Sequence, residues 1–551
     1  MNSTTTTNSS AAELLSGILS DPTAAAYKII AALAAAYVGY KLFFAASKPL
    51  YFLPVWVPLE IALATYLASA GGWGRRIYSF FRRYDGSLFG LSRSHQVIID
   101  LPNADRFMTQ SGHSLEHVPA HLTLMVRVFG SDDSPEFVQK VNATIKPLIS
   151  VVEKEFLSEA ASTAALERGG VVQKMSSLVT FTDNKDDMQV WERGANVKLI
   201  QSDSSGQPGA VEVDLMGIIR DFGATIAIPV LYGRDFLERN PGLLEDFWKF
   251  DNDAFPILMV GVPTWAPFKM LRDGLEARER MNKALYGLYR RIDQYQKGEP
   301  VDFGADMSDV GAALGRNLVY EKYDISFQHR ADMDLPFLWG QNGNTQPLLF
   351  WFILYVYSTP GMADRLREEM APYVSLSAKN GGFEIESVDI AALNRECPLS
   401  KAAMFETFRL GSEATSIRRV SKPMTVPDGA HTHHLQAGSF ISTAWSTSQS
   451  DPSVYPEPEK FIPERFLEFD AETGRKAARY GRLRPWAVGG GSCKGRTFAE
   501  KEILTIAACM LCVWEIEPAG GKWQIPAMIP GTGAKRPVND VRVIFKRRVP
   551  K

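Results

Sequence analysis

Residues 485–496 read Pro-Trp-Ala-Val-Gly-Gly-Gly-Ser-Cys-Lys-Gly-Arg, and we call this stretch the cysteine loop. Three consecutive glycines before Cys493 allow tight backbone turns and let a flat ligand approach the chain closely. A helix is predicted from about Thr497, and the N–H groups at a helix N-terminus favour a thiolate. A thiolate held in this way is a strong electron-donating axial ligand for a haem iron. Taken alone, the stretch is equally compatible with a reactive or merely buried cysteine.

Two upstream segments supply charges that can form one network. Glu406 and Arg409 are three residues apart in a predicted helix, so they share a face and can pair. The segment Pro463–Phe466 contributes Arg465, which can satisfy the remaining lone pairs of Glu406. A buried glutamate is tolerated only when it is paired and hydrogen-bonded. Arg465 precedes Cys493 by 28 residues and Glu406 precedes it by 87, and this order is more specific than any single motif.

With these motifs in this order, the chain resembles the cytochrome P-450 superfamily. The resemblance implies that Cys493 is the proximal ligand of the iron of heme b. It also implies that Trp486, Gly489 and Gly495 of the cysteine loop contribute to cofactor binding. Glu406, Arg409 and Arg465 are then the structural triad behind the loop.

The cysteine loop departs from the family pattern at two positions. The usual phenylalanine at its start is Trp486, and the usual basic residue two before the cysteine is Gly491. Since a haem propionate loses a partner at Gly491, Arg418 or Arg419 is expected to supply the charge, and we assign cofactor binding to Arg419. The alternative is that both arginines are solvated at the end of a strand.

A long apolar segment contains the sequence WGQNGNTQP, which ends at Pro347. Most family members carry an acid and a threonine here, but this chain has Gly343 and Asn344, followed by Thr345. Pro347 cannot donate to the carbonyl of residue 343, so the helix should kink. With Gly340 and Gly343 leaving room, we expect Asn344 and Thr345 to be catalytic residues that line a groove for oxygen or an oxygenated substrate. A plain buried helix is the alternative.

This helix looks like the branch that holds cholesterol 7-alpha-hydroxylase and prostacyclin synthase, and the segment after Cys493 looks like fungal relatives of that branch. Some members hydroxylate steroids with dioxygen and a reductase. Others rearrange an endoperoxide and need neither. The missing acid–threonine pair therefore does not exclude hydroxylation.

The predicted fold is mainly α with a small β portion (α+β), the cytochrome P-450 fold. Periodicity predicts helices that include Phe137–Phe156 and Leu335–Ser358, and a short strand is predicted at Trp514–Pro518. We expect a polar tail at residues 1–23, a transmembrane anchor at 24–46 and a single haem domain at 47–551. The 23 residues from Ala24 to Ala46, which are apolar except for Lys28 and Lys41, are enough to cross a bilayer, which needs about 20. Basic residues follow this segment, which favours a cytosolic body. A buried core helix is the alternative.

Composition excludes some other classes of protein. The 60 basic and 62 acidic residues give a net charge of −2, which argues against a nucleic-acid binder. Only four cysteines occur in 551 residues, so the chain is no disulfide scaffold and its body should face a reducing compartment.

These features together predict a monooxygenase anchored in the endoplasmic reticulum. NADPH-cytochrome P-450 reductase is the expected partner, and Lys494, Arg496 and Lys501 are expected near its docking face. The substrate is expected to be a steroid, terpenoid or polyketide-like molecule of secondary metabolism. The apolar segment Phe255–Phe268 either borders the substrate entrance at the membrane or packs on the core. Alternatives are a reductase-independent isomerase or dehydratase and a non-catalytic haem or lipid binder.

Overall fold

The computed structural model of the protein describes residues 57–58, 60–62 and 88–550, with gaps at 93, 99–100, 102, 111–113, 183, 201–208, 380, 430, 473 and 530. The predicted polar tail and transmembrane anchor lie outside the described residues. The described residues belong to one compact unit within Leu53–Lys551.

Helices make up most of the described chain. They are α1 Ala104–Thr109, α2 Val118–Arg127, α3 Pro135–Phe156, α4 Glu159–Gly169, α5 Val171–Met175, α6 Leu215–Tyr232, α7 Arg234–Arg239, α8 Leu243–Lys249, α9 Phe255–Met259, α10 Lys269–Lys297, α11 Ala312–Lys322, α12 Phe327–Asn342, α13 Thr345–Ser358, α14 Met362–Met370, α15 Ile390–Glu396, α16 Pro398–Gly411, α17 Ser446–Gln449 and α18 Arg496–Val513. A π-helical turn, Phe250–Ala254, joins α8 to α9, and 3₁₀ turns occur at Asp302–Gly304, Ala371–Tyr373, Pro463–Phe466 and Gly489–Gly491.

The strands are short. They are β1 Leu88–Ser92, β2 His95–Ile98, β3 Leu115–Glu116, β4 Lys198–Ile200, β5 Ala210–Asp214, β6 Val374–Lys379, β7 Gly382–Val388, β8 Ser412–Glu413, β9 Thr415–Val420, β10 Met424–Asp428, β11 His431–Leu435, β12 Phe440–Ala444, β13 Leu467–Phe469, β14 Lys476–Ala478, β15 Trp514–Pro518, β16 Met528–Ile529, β17 Gly533–Ala534, β18 Arg536–Pro537 and β19 Arg542–Arg547. The larger sheets have the orders β1-β2-β12-β9-β3 and β15-β19-β5-β4. The predicted mainly-α fold with a small β portion is confirmed.

Helices α13, α16 and α18 run through the larger of two main apolar clusters. The α13 sequence is apolar on every side, and Thr345 to Val356 are all buried, as expected for a helix surrounded by protein. Helix α6 is long and apolar enough to cross a membrane by length and composition, but 89% of its apolar window is buried within the described protein. The helices that carry the predicted motifs are therefore central to the core.

The predicted continuous helix Leu335–Ser358 is two helices. Helix α12 ends at Asn342 and α13 begins at Thr345, so the predicted kink near Pro347 is a full break. Pro347 is the third residue of α13, where its missing N–H would have no partner within the helix anyway. The break leaves Asn344 at the N-terminal boundary of α13.

Candidate active site

The cysteine loop is closed by its own backbone. The Cys493 N–H donates to the Trp486 carbonyl at 2.9 Å, and the Ser492 N–H donates to the Gly489 carbonyl at 3.0 Å. Gly489 has a φ of +66°, and a Cβ there would lie 3.0 Å from the Cα atom of Thr109. Glycine is required at 489 by both its conformation and its contact with α1.

Trp486 connects the cysteine loop to the helices behind it. Its indole N–H donates to the Tyr480 hydroxyl at 2.8 Å, and that hydroxyl donates to Glu500 on α18 at 2.8 Å. Its ring meets Phe408 of α16 edge to face at 5.2 Å. The indole of Trp486, which is bulkier than the phenylalanine of the family pattern, is thus accommodated by one polar and one apolar contact.

The Cys493 thiol combines an exposed surface with a dense protein surrounding. The side chain is exposed by surface area, yet burial among protein atoms raises the pKa of its thiol. The two observations agree if the sulfur borders a space that the protein encloses. The Gly495 N–H, Arg496 and Lys494 lower the pKa but are outweighed by burial. A metal ion at the sulfur would remove the proton outright.

Glu406 lies at the centre of the predicted triad and is fully buried. Its carboxylate accepts from Arg409 at 2.7 and 2.8 Å, from Arg465 Nε at 3.1 Å and from the Ile462 N–H at 3.0 Å. Arg409 also donates to three backbone carbonyls: those of Gln449, Pro458 and Lys460. The carboxylate therefore fixes α16 to the segment that leads into the cysteine loop.

Arg418 provides the positive charge that the sequence lacks at Gly491. It is 4% exposed, and its guanidinium donates to the Val488 carbonyl at 2.7 Å. A Cβ on Gly491 would lie 3.0 Å from this guanidinium, so a side chain at 491 would require the end of Arg418 to move by a few tenths of an ångström. Arg419 points to the other face of β9 and pairs with Glu116 at 3.3 Å.

Arg418 is a buried cation with no ion-pair partner among the described residues. Burial lowers its pKa, and no acidic group in the described part of the chain offsets this cost. An unpaired buried charge is strongly unfavourable, so this position calls for an anion.

Two histidines of α2 and its N-cap add donors beside Arg418, a signal that the sequence reasoning missed. His117 lies against Gly490, and its pKa is lowered by burial, Arg418, Lys494 and Lys146. His121 is exposed by surface area, yet burial, His117 and Arg418 lower its pKa to about 4. His121 therefore combines an exposed surface with a dense protein surrounding, as Cys493 does. The two imidazoles are 5.5 Å apart.

The residues present fit a haem. Cys493 offers an axial sulfur, while Arg418, His117 and His121 offer a cationic, donor-rich wall for the two carboxylates that a haem carries. Gly495 keeps the space beside the sulfur open, since a Cβ there would be 3.9 Å from Sγ. The donor set is that of a thiolate-ligated iron porphyrin.

Asn344 and Thr345 lie at the break between α12 and α13. The Asn344 Oδ1 atom is buried without a hydrogen-bond partner among the described residues, and the backbone of Gly533 packs against it. A Cβ on Gly340, one turn earlier, would meet no described atom within 4 Å, as expected for a wall of a groove. The expected room at Gly343 is filled by the indole ring of Trp339, which would be 2.9 Å from a Cβ there.

Glu502 is a buried acid that the sequence reasoning did not single out. It is 1% exposed, and its nearest polar neighbour is the Gln346 amide at 3.4 Å. Burial raises the pKa of Glu502 to about 8. Gln346 fits only because Gly223 faces it, since a Cβ there would be 1.8 Å from Oε1. Burial therefore favours the neutral acid at Glu502, beside the side chain of Gln346.

Lys501 does not lie on the docking face where the sequence predicted it. Its amine is buried and donates to the Glu159 carbonyl, Ser162 and Thr163 at 2.6 to 2.9 Å, so it fixes α18 to α4 and is not available to a partner. Lys494 pairs with Glu153 at 3.0 Å, whereas Arg496 is exposed.

We predict that Glu406→Gln lowers the free energy of unfolding by about 3–5 kcal/mol, because the buried Arg409 and the partly buried Arg465 lose their counter-charge. The measurement is denaturant unfolding at constant pH. Glu464→Gln is the matched control, since Glu464 pairs with Arg365 at 2.7 Å with both side chains nearly half exposed. That change should cost less than about 1 kcal/mol. Equal losses in the two variants would contradict the central role of Glu406.

A second prediction concerns pH. The pKa of Glu502 is raised from 4.5 to about 8, so the fold favours the neutral acid and loses stability as pH rises towards 8. Between about pH 6 and about pH 8, the wild type should lose about 2 kcal/mol more than Glu502→Gln, which cannot ionise. Parallel stability profiles of the two proteins over this range would show that Glu502 is not the titrating group.

Comparisons with known proteins agree with this geometry. The sequence model of the cytochrome P-450 family matches residues 335–539. Cytochrome P-450 monooxygenase poxD of Penicillium oxalicum is 27% identical over 301 residues, 54% of this chain and 57% of the relative. The 25-hydroxycholesterol 7-alpha-hydroxylase of Rattus norvegicus is 25% identical over 287 residues, 50% of this chain and 63% of the relative. The chain thus spans less than two thirds of the length of either relative.

Among solved structures, retinoic-acid-bound cyanobacterial CYP120A1 matches with a TM-score of 0.60 at 17% identity, over 88% of this chain and 96% of that chain. At 17% identity this likeness is evidence for the fold alone. The family match includes the helix break at Asn344, the Glu406 network and the cysteine loop. Residues 335–539 therefore carry the pattern of the cytochrome P-450 family, and the chain is similar to fungal monooxygenases and a sterol 7-alpha-hydroxylase of that family.

Proposed function

We propose that this chain, whose superfamily carries a haem with a thiolate-ligated iron, is a monooxygenase that oxidises a hydrophobic small molecule. The observation that carries the proposal is that the cysteine loop, which holds Cys493, is contacted by the buried cation Arg418 at Val488 and Gly491 and by His117 at Gly490. Fungal monooxygenases and mammalian sterol hydroxylases among the relatives support a steroid, terpenoid or polyketide-like substrate and a role in secondary metabolism.

Each group at the site has a defined task. When bound, the haem supplies the activation of dioxygen, and the protein supplies binding, orientation and electrostatics. Cys493 would hold the iron as a thiolate, and Arg418, His117 and His121 would hold the haem carboxylates. The buried Oδ1 of Asn344 accepts a hydrogen bond from a substrate hydroxyl, and Thr345 lies beside it. The apolar residues of α13 exclude water from the chamber.

Electrons are proposed to come from NADPH-cytochrome P-450 reductase. The exposed Arg496, directly after the cysteine loop, provides a positive group on the side that an acidic reductase would approach. With Lys501 buried, this docking face is smaller than the sequence suggests.

Membrane attachment is proposed at two places. The first is the anchor at residues 24–46, on the cytosolic face of the endoplasmic reticulum. The second is the loop after α9, where Trp265 is 81% exposed, Val260 52% and Phe268 49%. Three large apolar side chains exposed together mark a contact with a partner or a membrane, and the adjoining Phe255 is buried at the core.

A reductase-independent isomerase or dehydratase is the second candidate. The observation that favours it is Asn344, which occupies the place where most members of the superfamily carry a proton-relaying threonine. An amide oxygen at this point can hold an oxygenated substrate without delivering protons.

Turnover distinguishes the two functions. The full-length enzyme, reconstituted with NADPH-cytochrome P-450 reductase in vesicles, is expected to convert a steroid or terpenoid from a screened panel and to incorporate one atom of isotopically labelled dioxygen. Cys493→Ser should abolish the activity and the thiolate-type spectrum of the reduced carbon monoxide complex, while Cys512→Ser, at a buried core cysteine, serves as the control. Unlabelled product formed without NADPH would overturn the monooxygenase assignment in favour of the isomerase.

Haem retention tests the cationic wall separately. Arg418→Gln is expected to release haem to apomyoglobin about tenfold or more faster than the wild type, because a charge-assisted hydrogen bond is lost. Arg419→Gln should leave the rate unchanged, since its partner is Glu116. Faster haem release from the Arg419 variant alone would contradict the role of Arg418 and support Arg419 as the cofactor-binding residue.

A further inference from the structure

The π-helical turn Phe250–Ala254 carries a buried carboxylate that joins three separate segments. Asp251 is 2% exposed. One oxygen accepts from the indole N–H of Trp339 on α12 at 2.7 Å, and the other pairs with Arg536 of β18 at 2.5 Å. Arg536 also donates to the Asp251 carbonyl and to Asn252 Oδ1, both at 3.0 Å. Neither segment that Asp251 holds is near it in sequence.

The first connection leads from Asp251 through Trp339 to the helix break. The Trp339 ring stacks on Phe255 at 4.4 Å and 10°, so it is held on one face as well as at its N–H. Its carbonyl accepts from the Gly343 N–H at 2.8 Å, and its ring fills the space beside that glycine. The position of Trp339 therefore sets where α12 stops, directly before Asn344.

The second connection leads from Asp251 through Arg536 to the other side of Asn344. Arg536 lies in the turn region that also carries Gly533, three residues earlier, whose backbone packs on the Asn344 amide. A Cβ on Gly533 would be 2.7 Å from Asn344 Oδ1, so any shift of this segment changes the space around that oxygen. Both connections from Asp251 end at Asn344.

We infer that Asp251 is a positioning residue that fixes the Asn344 amide through Trp339 on one side and the Arg536–Gly533 segment on the other. The inference rests on the proposed function of Asn344 at the haem face of the chamber. The chemistry requires a carboxylate, because its two acceptor oxygens serve an indole N–H and a guanidinium at once, whereas an asparagine would turn donors towards one of them. π-Helical turns occur frequently at functional sites, which fits this location.

The test uses the holoenzyme and needs no known substrate. The infrared stretching band of carbon monoxide bound to the reduced enzyme reports the polar groups beside the bound gas, and Asn344→Ala defines the shift caused by losing the amide. Asp251→Asn is expected to shift or broaden the band in the same direction. Asp246→Asn is the matched control, since Asp246 precedes Asp251 by five residues and pairs with Arg280 away from the break. It should leave the band as in the wild type.

Trp339→Phe provides a second, milder variant, because it keeps the stacked ring and removes only the N–H. It is expected to shift the band in the same direction as Asp251→Asn and by no more, since it breaks only the Trp339 connection. The double variant should give no more than Asp251→Asn alone, because the Trp339 connection is already broken there. If Asp251→Asn does not fold, Trp339→Phe alone decides. An unchanged band in both variants, with a shifted band in Asn344→Ala, would overturn the positioning role only. An unchanged band in Asn344→Ala would overturn the proposed role of Asn344 and this inference with it.

Discussion

The carboxylate of Glu406 is the contact on which the haem face of the molecule depends. It is fully buried and accepts hydrogen bonds from two arginines and one backbone N–H, so it ties α16 to the chain that precedes the cysteine loop. Charges in this setting stabilise the fold only as a complete set, because a missing partner leaves a buried ion. The position of Cys493 is thus determined by electrostatics some distance from the sulfur.

Much of this architecture was accessible from the sequence where the signal is local or strongly periodic. The predicted strand Trp514–Pro518 has those bounds in the structure, and the predicted helix Phe137–Phe156 begins two residues earlier, at Pro135. The first half of α12 escaped prediction because Arg330, Asp332 and Asp334 make it look like a surface segment. These charges are buried because Arg330 pairs with Asp293 and Asp334 pairs with Arg316.

The parts of the site that could not be predicted depend on which side chains meet in space. Arg418 and Arg419 are adjacent, so spacing alone cannot say which faces the cysteine loop, and only the pleat of β9 decides it. Lys501 looked like a surface cation because helical periodicity is weak in α18, where nearly every position is buried. His117 and His121 were missed because their role depends on Arg418, which lies on a strand distant in sequence.

The close approach of Arg418 to Gly491 has an evolutionary consequence. The two positions are neighbouring locations for one positive charge, because a side chain at 491 would press on the guanidinium of Arg418. Moving the charge from one position to the other in single steps passes through a chain with either two crowded like charges or no cation. The pair should therefore change together in related sequences, and a basic residue at one position should accompany a small or uncharged residue at the other.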